Sequence, residues 1–338
     1  MNKLIENIEI KNLFHEKDIS WNLERVNVLV GKNGLGKSTI LRLIDSAVTQ
    51  NPCEDWKVCD EVSVRFNDNI YNTIKKDIKE FKKYFEKLNN SGSLSELVEK
   101  TIKKNNLAKE LDPEILEELK NQVINDFNKE IKILNEKNIG KKNLIGYSLK
   151  SDLEGLKTEF ISTINMSANS INHITTSSGK NTTLLDIEID SEIKRLISNC
   201  KNKKGFDLRV KLTTALNNFF EETNKKIYFD NDILKIVSGE SKELQFQNLS
   251  SGERQIIFIF LKVLNGSIDQ SLILMDEPEI SLHLSWQEKL LDEITKINKS
   301  SQIIIVTHSP AIVMNGWFDC LTDIKDIFVE NDASSEVI

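Results

Sequence analysis

The sequence is poor in cysteine and histidine and lacks any long apolar segment. Its four cysteines are scattered without a Cys-x-x-Cys pair, which favours reduced structural thiols in a cytoplasm. The four histidines form no zinc-like or HNH-like cluster. The first ten residues mix charged and aliphatic side chains, so they indicate no signal peptide. No apolar run reaches the length of a membrane span, and we expect no membrane contact.

An excess of positive charge is also absent. The chain has 45 Lys and Arg against 52 Asp and Glu, a net charge of −7 that excludes a uniformly basic nucleic-acid binder but allows a local basic stripe. Hydrophobic residues make up 39% of the sequence, which is enough for a sizeable core. The length of 338 residues suits one large α/β domain with an insertion, or two ordinary domains.

The apolar pattern divides the chain into three parts. In residues 1–70, short aliphatic runs separated by turns predict strands and the first helix of an α/β domain. In residues 71–150, Lys, Glu and Asn dominate and apolar side chains recur at helical spacing, which predicts a helical insertion. In residues 151–338, the continuous runs Leu272–Met275 and Ile303–Val306 are typical of buried parallel strands. We therefore expect an α/β fold that carries a helical insertion.

A glycine-rich loop follows the first predicted buried strand. The segment from Gly31 to Ser38 has the pattern G-x-x-x-x-G-K-[ST], and it lies between a strand and a helix, as a phosphate-binding loop requires. Glycines allow backbone N–H groups to curl around a phosphate, and the following helix directs its positive end to the same anion. Lys37 is expected to bridge the β- and γ-phosphates, and the Ser38 hydroxyl to bind Mg²⁺. The candidate nucleotide-binding residues are Gly31, Asn33, Gly34, Gly36, Lys37, Ser38 and Thr39.

Two adjacent acids follow the run that starts at Leu272. Asp276 and Glu277 would lie at the carboxyl edge of a parallel sheet, where α/β proteins bind their ligands. Asp276 is the expected magnesium residue, and Glu277 is the candidate general base for the attacking water. An ordinary solvated strand end is the alternative, but it does not explain why two acids follow four aliphatic residues and precede Pro278.

A second anion site is indicated upstream of these acids. Ser250, Ser251 and Gly252 precede a helix that is apolar on nearly every side, and a helix N-terminus of this kind favours anions. Because the chain already has a phosphate loop, this site is surplus in a monomer. We expect Ser250 and Gly252 to cap the γ-phosphate held by another copy, in a two-fold dimer or a higher even oligomer.

A histidine ends the second aliphatic run. His308 lies just past Ile303–Val306, which we expect to neighbour the strand that ends in the acids. A lone histidine at a strand end is more often a structural residue. In this position we expect His308 to contact the γ-phosphate and to orient the water, so that Lys37, Glu277 and His308 form the catalytic set.

The phosphate loop, the serine-glycine segment, the acids and His308, in this order, resemble the motifs of the ATP-binding-cassette superfamily. The resemblance covers about residues 1–70 and 151–315. It implies a P-loop ATPase head, built on a mixed β-sheet with flanking helices, that takes ATP and Mg²⁺. The segments Asp276–His283 and Thr307–Pro310 are similar to the soluble RecF-like, SMC-like and OLD-like branch, including ATPase subunits of Septu-type phage-defence systems.

Four functions follow from this reading. The leading one is a dimerising ATPase of bacterial anti-phage defence that controls a separate effector, a nuclease or a toxin. The second is a repair or recombination ATPase acting on DNA, because residues 71–150 contain lysine pairs, although nearby acids also suit a solvated helical face. The third is the nucleotide-binding subunit of a transporter, which the charged insertion disfavours. The fourth is a non-hydrolysing scaffold, which the intact set of Asp276, Glu277 and His308 disfavours.

Overall fold

A computed structural model describes the chain over ten ranges, which are 4–51, 53–67, 70–76, 147–151, 156–162, 166, 173–175, 181–199, 203–239 and 242–329. The chain forms two compact units, one made of Met1–Thr73 with Lys150–Ile338 and the other of Ile74–Leu149. The predicted insertion at 71–150 begins and ends with strands, while residues 77–146 lie outside the described residues. The predicted insertion helices, and the lysine pairs within 77–146, therefore remain expectations.

The described elements are numbered here in chain order. The strands are β1 (Ile5–Leu13), β2 (Lys17–Asn22), β3 (Val26–Val30), β4 (Glu61–Phe66), β5 (Tyr71–Lys76), β6 (Tyr147–Ser151), β7 (Thr158–Ser162), β8 (His173–Thr175), β9 (Asn181–Thr183), β10 (Lys225–Asp230), β11 (Ile233–Ser238), β12 (Glu243–Leu244), β13 (Leu272–Asp276), β14 (Ile303–Val306), β15 (Leu321–Asp323) and β16 (Phe328–Val329). The α-helices are α1 (Lys37–Thr49), α2 (Leu184–Asn199), α3 (Lys203–Phe220), α4 (Ser251–Asp269) and α5 (Leu284–Ile297).

A five-stranded parallel sheet, in the order β15-β3-β14-β13-β7, positions the predicted site. All residues of β13 and β14 are buried, as their continuous aliphatic sequences predict. In the register of the sheet, Asp276 lies opposite Val306, and Val306 lies opposite Leu29. The carboxyl ends of β3, β13 and β14 are therefore level, and the segments that follow them meet at one edge.

A six-stranded sheet has the order β16-β2-β1-β4-β5-β6, and β1 pairs antiparallel with both β2 and β4. In β4, Val62, Val64 and Phe66 are buried and alternate with half-buried neighbours, which is the pattern of a sheet with one face on the core. Smaller antiparallel sheets join β10 to β11 and β12, and β8 to β9.

Helix α4 is the central helix of the main core. Its residues from Ile256 to Leu261 are all buried, so the helix is covered on every side, as its apolar sequence predicts. Helices α2, α3 and α5 pack against it, and β7 and β13 contact it from the parallel sheet. Among the described residues, no helix combines the length and the apolar character needed to cross a membrane.

A buried ionic cluster ties α4 to β7 and α2. Glu159 of β7 is 5% exposed, and its two carboxylate oxygens accept hydrogen bonds from Arg195 Nη2 at 2.5 Å and Lys262 Nζ at 2.9 Å. Glu192 of α2 lies 3.1 Å from the same lysine. Opposite charges placed this closely offset the free-energy cost of burying each of them, so the cluster fixes α4 against the sheet.

Candidate nucleotide site at the edge of the parallel sheet

The predicted phosphate loop connects β3 to α1. Gly36 has a φ of 93°, a left-handed value, and a Cβ atom at this position would lie 2.5 Å from Cε2 of Phe14. Gly31 meets a similar restriction, because its Cβ atom would lie 2.4 Å from Cγ2 of Ile324. Only glycine tolerates both the backbone angle and the close approach at these positions. The loop is therefore bounded by the turn between β1 and β2 and by the segment after β15.

Lys37 is the first residue of α1, and only 4% of it is exposed. Its Nζ donates to the carbonyl oxygens of Gly31 at 2.9 Å and of Lys32 at 3.1 Å, so the side chain lies along the inside of the loop. Burial lowers the pKa of Lys37, while the nearby carboxylates of Glu277 and Asp276 oppose this shift. The ammonium group is thus held beside two acids in a partly desolvated position.

Ser38 and Asp276 form a direct pair across the sheet edge. The Ser38 Oγ donates to Oδ1 of Asp276 at 2.7 Å, and Asp276 is 2% exposed. Burial raises the pKa of Asp276, and the hydrogen bond from Ser38 partly offsets the shift. A hydroxyl and a carboxylate oxygen at this separation are the donor types that Mg²⁺ prefers, so these two residues fit the ion that the sequence predicts.

Glu277 and His308 meet on the other side of Lys37. The Nε2 atom of His308 lies 3.1 Å from Oε1 of Glu277 and 3.0 Å from Nζ of Lys37. The backbone of Glu277 has a left-handed φ of 51°, and its N–H donates to the carbonyl of Val306 at 2.8 Å. A non-glycine residue in this conformation is strained, and such strain is concentrated at functional sites. The turn directs the Glu277 side chain towards His308.

Sequence reasoning did not select Glu279 as a site residue. Its Oε1 accepts hydrogen bonds from the Thr307 hydroxyl at 2.5 Å, the His308 N–H at 2.9 Å and the Ser309 N–H at 3.2 Å. The sequence places Glu279 two residues after Glu277, but nothing local indicates that it contacts a segment almost thirty residues further along. This carboxylate joins the turn after β13 to the turn after β14.

The predicted second anion site lies at the start of α4. Ser250 is the N-cap residue of that helix, and its hydroxyl accepts a hydrogen bond from the Glu253 N–H at 3.3 Å. Gly252 is buried, and a Cβ atom there would lie 2.5 Å from the carbonyl oxygen of Ser281. Ser250 itself is exposed. The hydrogen bonds found for Ser250 stay within the helix N-terminus and do not reach the phosphate loop.

The predicted residues therefore fall into groups. Direct contacts join Ser38 to Asp276, and they join both Lys37 and Glu277 to His308. Gly31 and Gly36 shape the loop, Asn33 and Gly34 are exposed on it, and Thr39 accepts a hydrogen bond from Arg42 at 3.4 Å. Ser250 and Gly252 belong to the separate N-terminus of α4.

Comparison with known proteins gives a family and partial relatives. The family model described as "AAA domain, putative AbiEii toxin, Type IV TA system" matches residues 26–315. The Septu protein PtuA of Bacillus thuringiensis is 35% identical over 91 residues, which cover 23% of this chain and 23% of that protein. The Retron Ec83 probable ATPase of Escherichia coli is 32% identical over 88 residues, which cover 23% of this chain and 16% of that protein. The matching stretches thus span less than a quarter of these curated relatives.

The fold has a counterpart among solved structures. The structure of an SMC head bound to the C-winged helix domain of ScpA superimposes with a TM-score of 0.50 at 11% identity, and the match covers 92% of each chain. At this identity the likeness concerns the fold alone. It confirms the predicted α/β fold of an ABC-type ATPase head, and the family match and the relatives confirm the predicted resemblance to ATPases of the Septu type.

Proposed function

The chain belongs to this family of AAA domains, and on that premise we propose that it binds ATP at the phosphate loop and hydrolyses it to ADP and phosphate. One observation carries the proposal. At the carboxyl edge of the parallel sheet, Ser38 of α1 hydrogen-bonds Asp276 of β13, and His308 in the turn after β14 contacts both Lys37 of α1 and Glu277 in the turn after β13. A cation, a hydroxyl, two carboxylates and an imidazole are the groups that phosphoryl transfer uses.

The phosphate loop and Lys37 bind ATP in this proposal. The backbone N–H groups from Gly34 to Ser38 and the positive end of α1 surround the phosphates, and Asn33 and Thr39 flank them. The carbonyl oxygens of Gly31 and Lys32, which now accept from Lys37, are weaker partners for an ammonium group than a phosphate oxygen. The γ-phosphate therefore draws the ammonium group away from these carbonyl oxygens.

Glu277 and His308 carry out hydrolysis in this proposal. Glu277 accepts a proton from the water that attacks the γ-phosphorus, and the bond from that phosphorus to the bridging oxygen of ADP breaks. His308, in contact with both Glu277 and Lys37, holds the water and the γ-phosphate in line. Ser38 and Asp276 would hold Mg²⁺, which when bound neutralises charge on the phosphates.

A second copy completes the site in this proposal. The exposed Ser250 and the backbone N–H groups at the N-terminus of α4 form an anion site, and the capping hydrogen bonds of Ser250 go to Glu253 and not to the phosphate loop of the same chain. Two copies related by a two-fold axis would each place this terminus on the triphosphate bound by the other. ATP binding then closes the dimer, and hydrolysis reopens it.

We further propose that the closed dimer controls a separate effector, a nuclease or a toxin, in defence against phages. The similarity to the Septu protein PtuA and to a retron ATPase supports this setting. The effector is to be found by purifying the protein from its host and identifying the chains that purify with it. Nucleic acid in the purified complex would instead favour the DNA-acting alternative.

The test of the ATPase proposal compares three proteins in a phosphate-release assay. The wild type should turn over ATP, and Glu277→Gln should lower kcat by about 10²- to 10⁴-fold while still binding ATP, because it loses only the base. Lys37→Ala should weaken ATP binding by roughly 10- to 100-fold, as expected for a lost charged hydrogen bond of about 1.5–3 kcal/mol.

Two exposed residues provide matched controls, since Glu221→Gln and Lys226→Ala make the same chemical changes outside the site. Both should behave as the wild type. Wild-type turnover in Glu277→Gln would contradict the assigned base, and unchanged ATP binding in Lys37→Ala would contradict the phosphate-loop assignment.

A further inference from the structure

Glu279 is a buried carboxylate with an unusual set of partners. It is 7% exposed, and one oxygen, Oε1, accepts hydrogen bonds from three consecutive residues, Thr307, His308 and Ser309. The other oxygen, Oε2, is buried and has no hydrogen-bond partner among the described residues. A buried carboxylate oxygen without a partner lowers the free energy of unfolding. The chain accepts this cost while all three hydrogen bonds of Glu279 hold the turn after β14 in one conformation.

A second side chain holds the same turn from helix α5. Gln287 accepts a hydrogen bond from the Ser309 hydroxyl at 2.6 Å and donates to the carbonyl of Leu282 at 2.9 Å. The backbone on both sides of His308 is therefore fixed by groups that follow β13 in the sequence. His308 has little freedom to move its main chain, although its side chain is 32% exposed.

Glu279 links the segments that carry Glu277 and His308. Glu279 belongs to the turn in which Glu277 adopts its left-handed backbone angle, and it binds the backbone N–H of His308 directly. Because Nε2 of His308 lies 3.1 Å from Glu277 and 3.0 Å from Lys37, a small shift of the turn after β14 would break both contacts. Catalytic groups misplaced by about 1 Å can lose about 10²-fold in rate.

We propose that Glu279 is a positioning residue for hydrolysis, which acts by holding the backbone of residues 307–309 so that His308 reaches Glu277 and the γ-phosphate. This proposal rests on the proposed ATPase function. It assigns to Glu279 a role in turnover and none in ATP binding, because its hydrogen bonds go to the turn that carries His308 and not to the phosphate loop.

The primary test measures kcat, KM and ATP binding for two variants of Glu279. Glu279→Ala should lower kcat by at least tenfold, with KM and ATP affinity within about threefold of the wild type. Glu279→Gln should keep at least a third of wild-type kcat, because an amide oxygen can accept the same three hydrogen bonds. A kcat for Glu279→Ala within threefold of the wild type, counted per nucleotide-binding site, would overturn the proposal.

A double-mutant cycle tests whether the effect passes through His308. In a His308→Ala background, removing the Glu279 carboxylate should lower the remaining kcat by less than threefold, since the group that it positions is gone. If the two effects multiply, Glu279 acts independently of His308 and the proposal is wrong. The phosphate-release assay must detect the residual rate of His308→Ala, so single-turnover conditions are used.

Thr307 provides a test that does not depend on how well Glu279→Ala folds. Thr307→Val removes one donor to Glu279 while keeping the size of the side chain, and it should lower kcat several-fold at unchanged KM. Thr307→Ser keeps the hydroxyl and should retain wild-type kcat. Equal kcat values for the valine and serine variants would overturn the proposal.

Glu222→Ala is the matched control, because this carboxylate also has three donors, Ser285, Trp286 and Lys289, none of them in the site. It should leave kcat and KM unchanged even where it lowers the melting temperature. Failure of the ATPase proposal has a different signature, namely a wild type that turns over no faster than Lys37→Ala.

Discussion

At the scale of single residues, the site concentrates charges that oppose folding. Lys37 and Asp276 are almost fully buried. Burial lowers the pKa of Lys37 and raises the pKa of Asp276, so it favours the neutral form of each. Glu277 holds a strained backbone angle, and one oxygen of Glu279 has no hydrogen-bond partner in the part of the chain that the structure describes. Each of these features costs stability. All four residues lie in or next to the site where the triphosphate is expected. Functional sites commonly show this conflict between stability and activity.

Asp276→Asn should separate the effect of the Asp276 charge on stability from its proposed role in hydrolysis. Its folded pKa is raised above the ordinary value of 3.8, so the folded chain binds the proton more tightly, and stability falls as pH rises through that range. Asparagine keeps an oxygen for Ser38 but carries no charge. We therefore expect a melting temperature higher by about 2 °C at pH 7, on the order of 1 kcal/mol, together with loss of hydrolysis.

The expected increase in the melting temperature of Asp276→Asn should depend on pH, and differential scanning calorimetry can measure this dependence. It should be largest at neutral pH and should disappear below about pH 3.8, where the wild-type carboxyl is itself protonated. A variant that melts below the wild type at pH 7 would show that the Asp276 charge stabilises the fold.

At the scale of elements, the start of α4 depends on one carboxylate. Ser250 and Glu253 form a reciprocal capping box, in which each side chain bonds the backbone N–H of the other residue. The other oxygen of Glu253 accepts from Lys225 at 2.6 Å and from Thr223 at 2.9 Å. Glu253 thus ties the predicted anion site to the start of β10. Burial alone would raise the pKa of Glu253, but these hydrogen bonds lower it below the ordinary value of 4.5.

Glu253→Ala should lower the melting temperature by about 2–6 °C at pH 7, since it removes a helix cap worth about 1 kcal/mol and an ion pair. A lowered folded pKa means that the contribution is present above pH 4.5 and is lost as pH falls through the folded pKa. The difference from the wild type in thermal melts should therefore shrink in acid. Glu243→Ala, which changes an exposed carboxylate, is the control, and a difference that does not shrink as the pH is lowered below 4.5 would contradict the assignment.

At the scale of the whole molecule, the proposed reaction needs two chains. Within one chain, Ser250 at the N-terminus of α4 forms its capping hydrogen bonds with Glu253, and this terminus presents the exposed serines Ser250 and Ser251. Ser251→Glu tests the dimer because a carboxylate in the first turn of a helix favours that helix but would repel a triphosphate presented by a partner.

In a Glu277→Gln background with ATP and Mg²⁺, analytical ultracentrifugation should show a dimer. Adding Ser251→Glu should leave a monomer with unchanged melting temperature, while Ser251→Gln, which is similar in size but uncharged, should still dimerise. An ATP-dependent dimer that tolerates the glutamate would contradict the proposed arrangement.

Much of the site could be predicted from the sequence because its determinants are local. The strand Ile303–Val306 is predicted with the bounds that the structure gives it, since continuous aliphatic runs favour buried parallel strands. The phosphate-loop glycines, Lys37 and Ser38 form a pattern of fixed spacing, so they could be recognised without the fold.

The tertiary structure alone decided the contacts between distant segments. Strands β15 and β16 escaped prediction because their pairing partners, β3 and β2, lie far away in the sequence. Ile324 against Gly31 and Glu279 against His308 escaped for the same reason. The sequence by itself determined which residues are proposed to bind a triphosphate, because backbone freedom, charge and hydroxyl groups are local properties. Only the fold decided that the Glu279 carboxylate accepts hydrogen bonds from residues 307–309, because that depends on the register in which β13 and β14 pair.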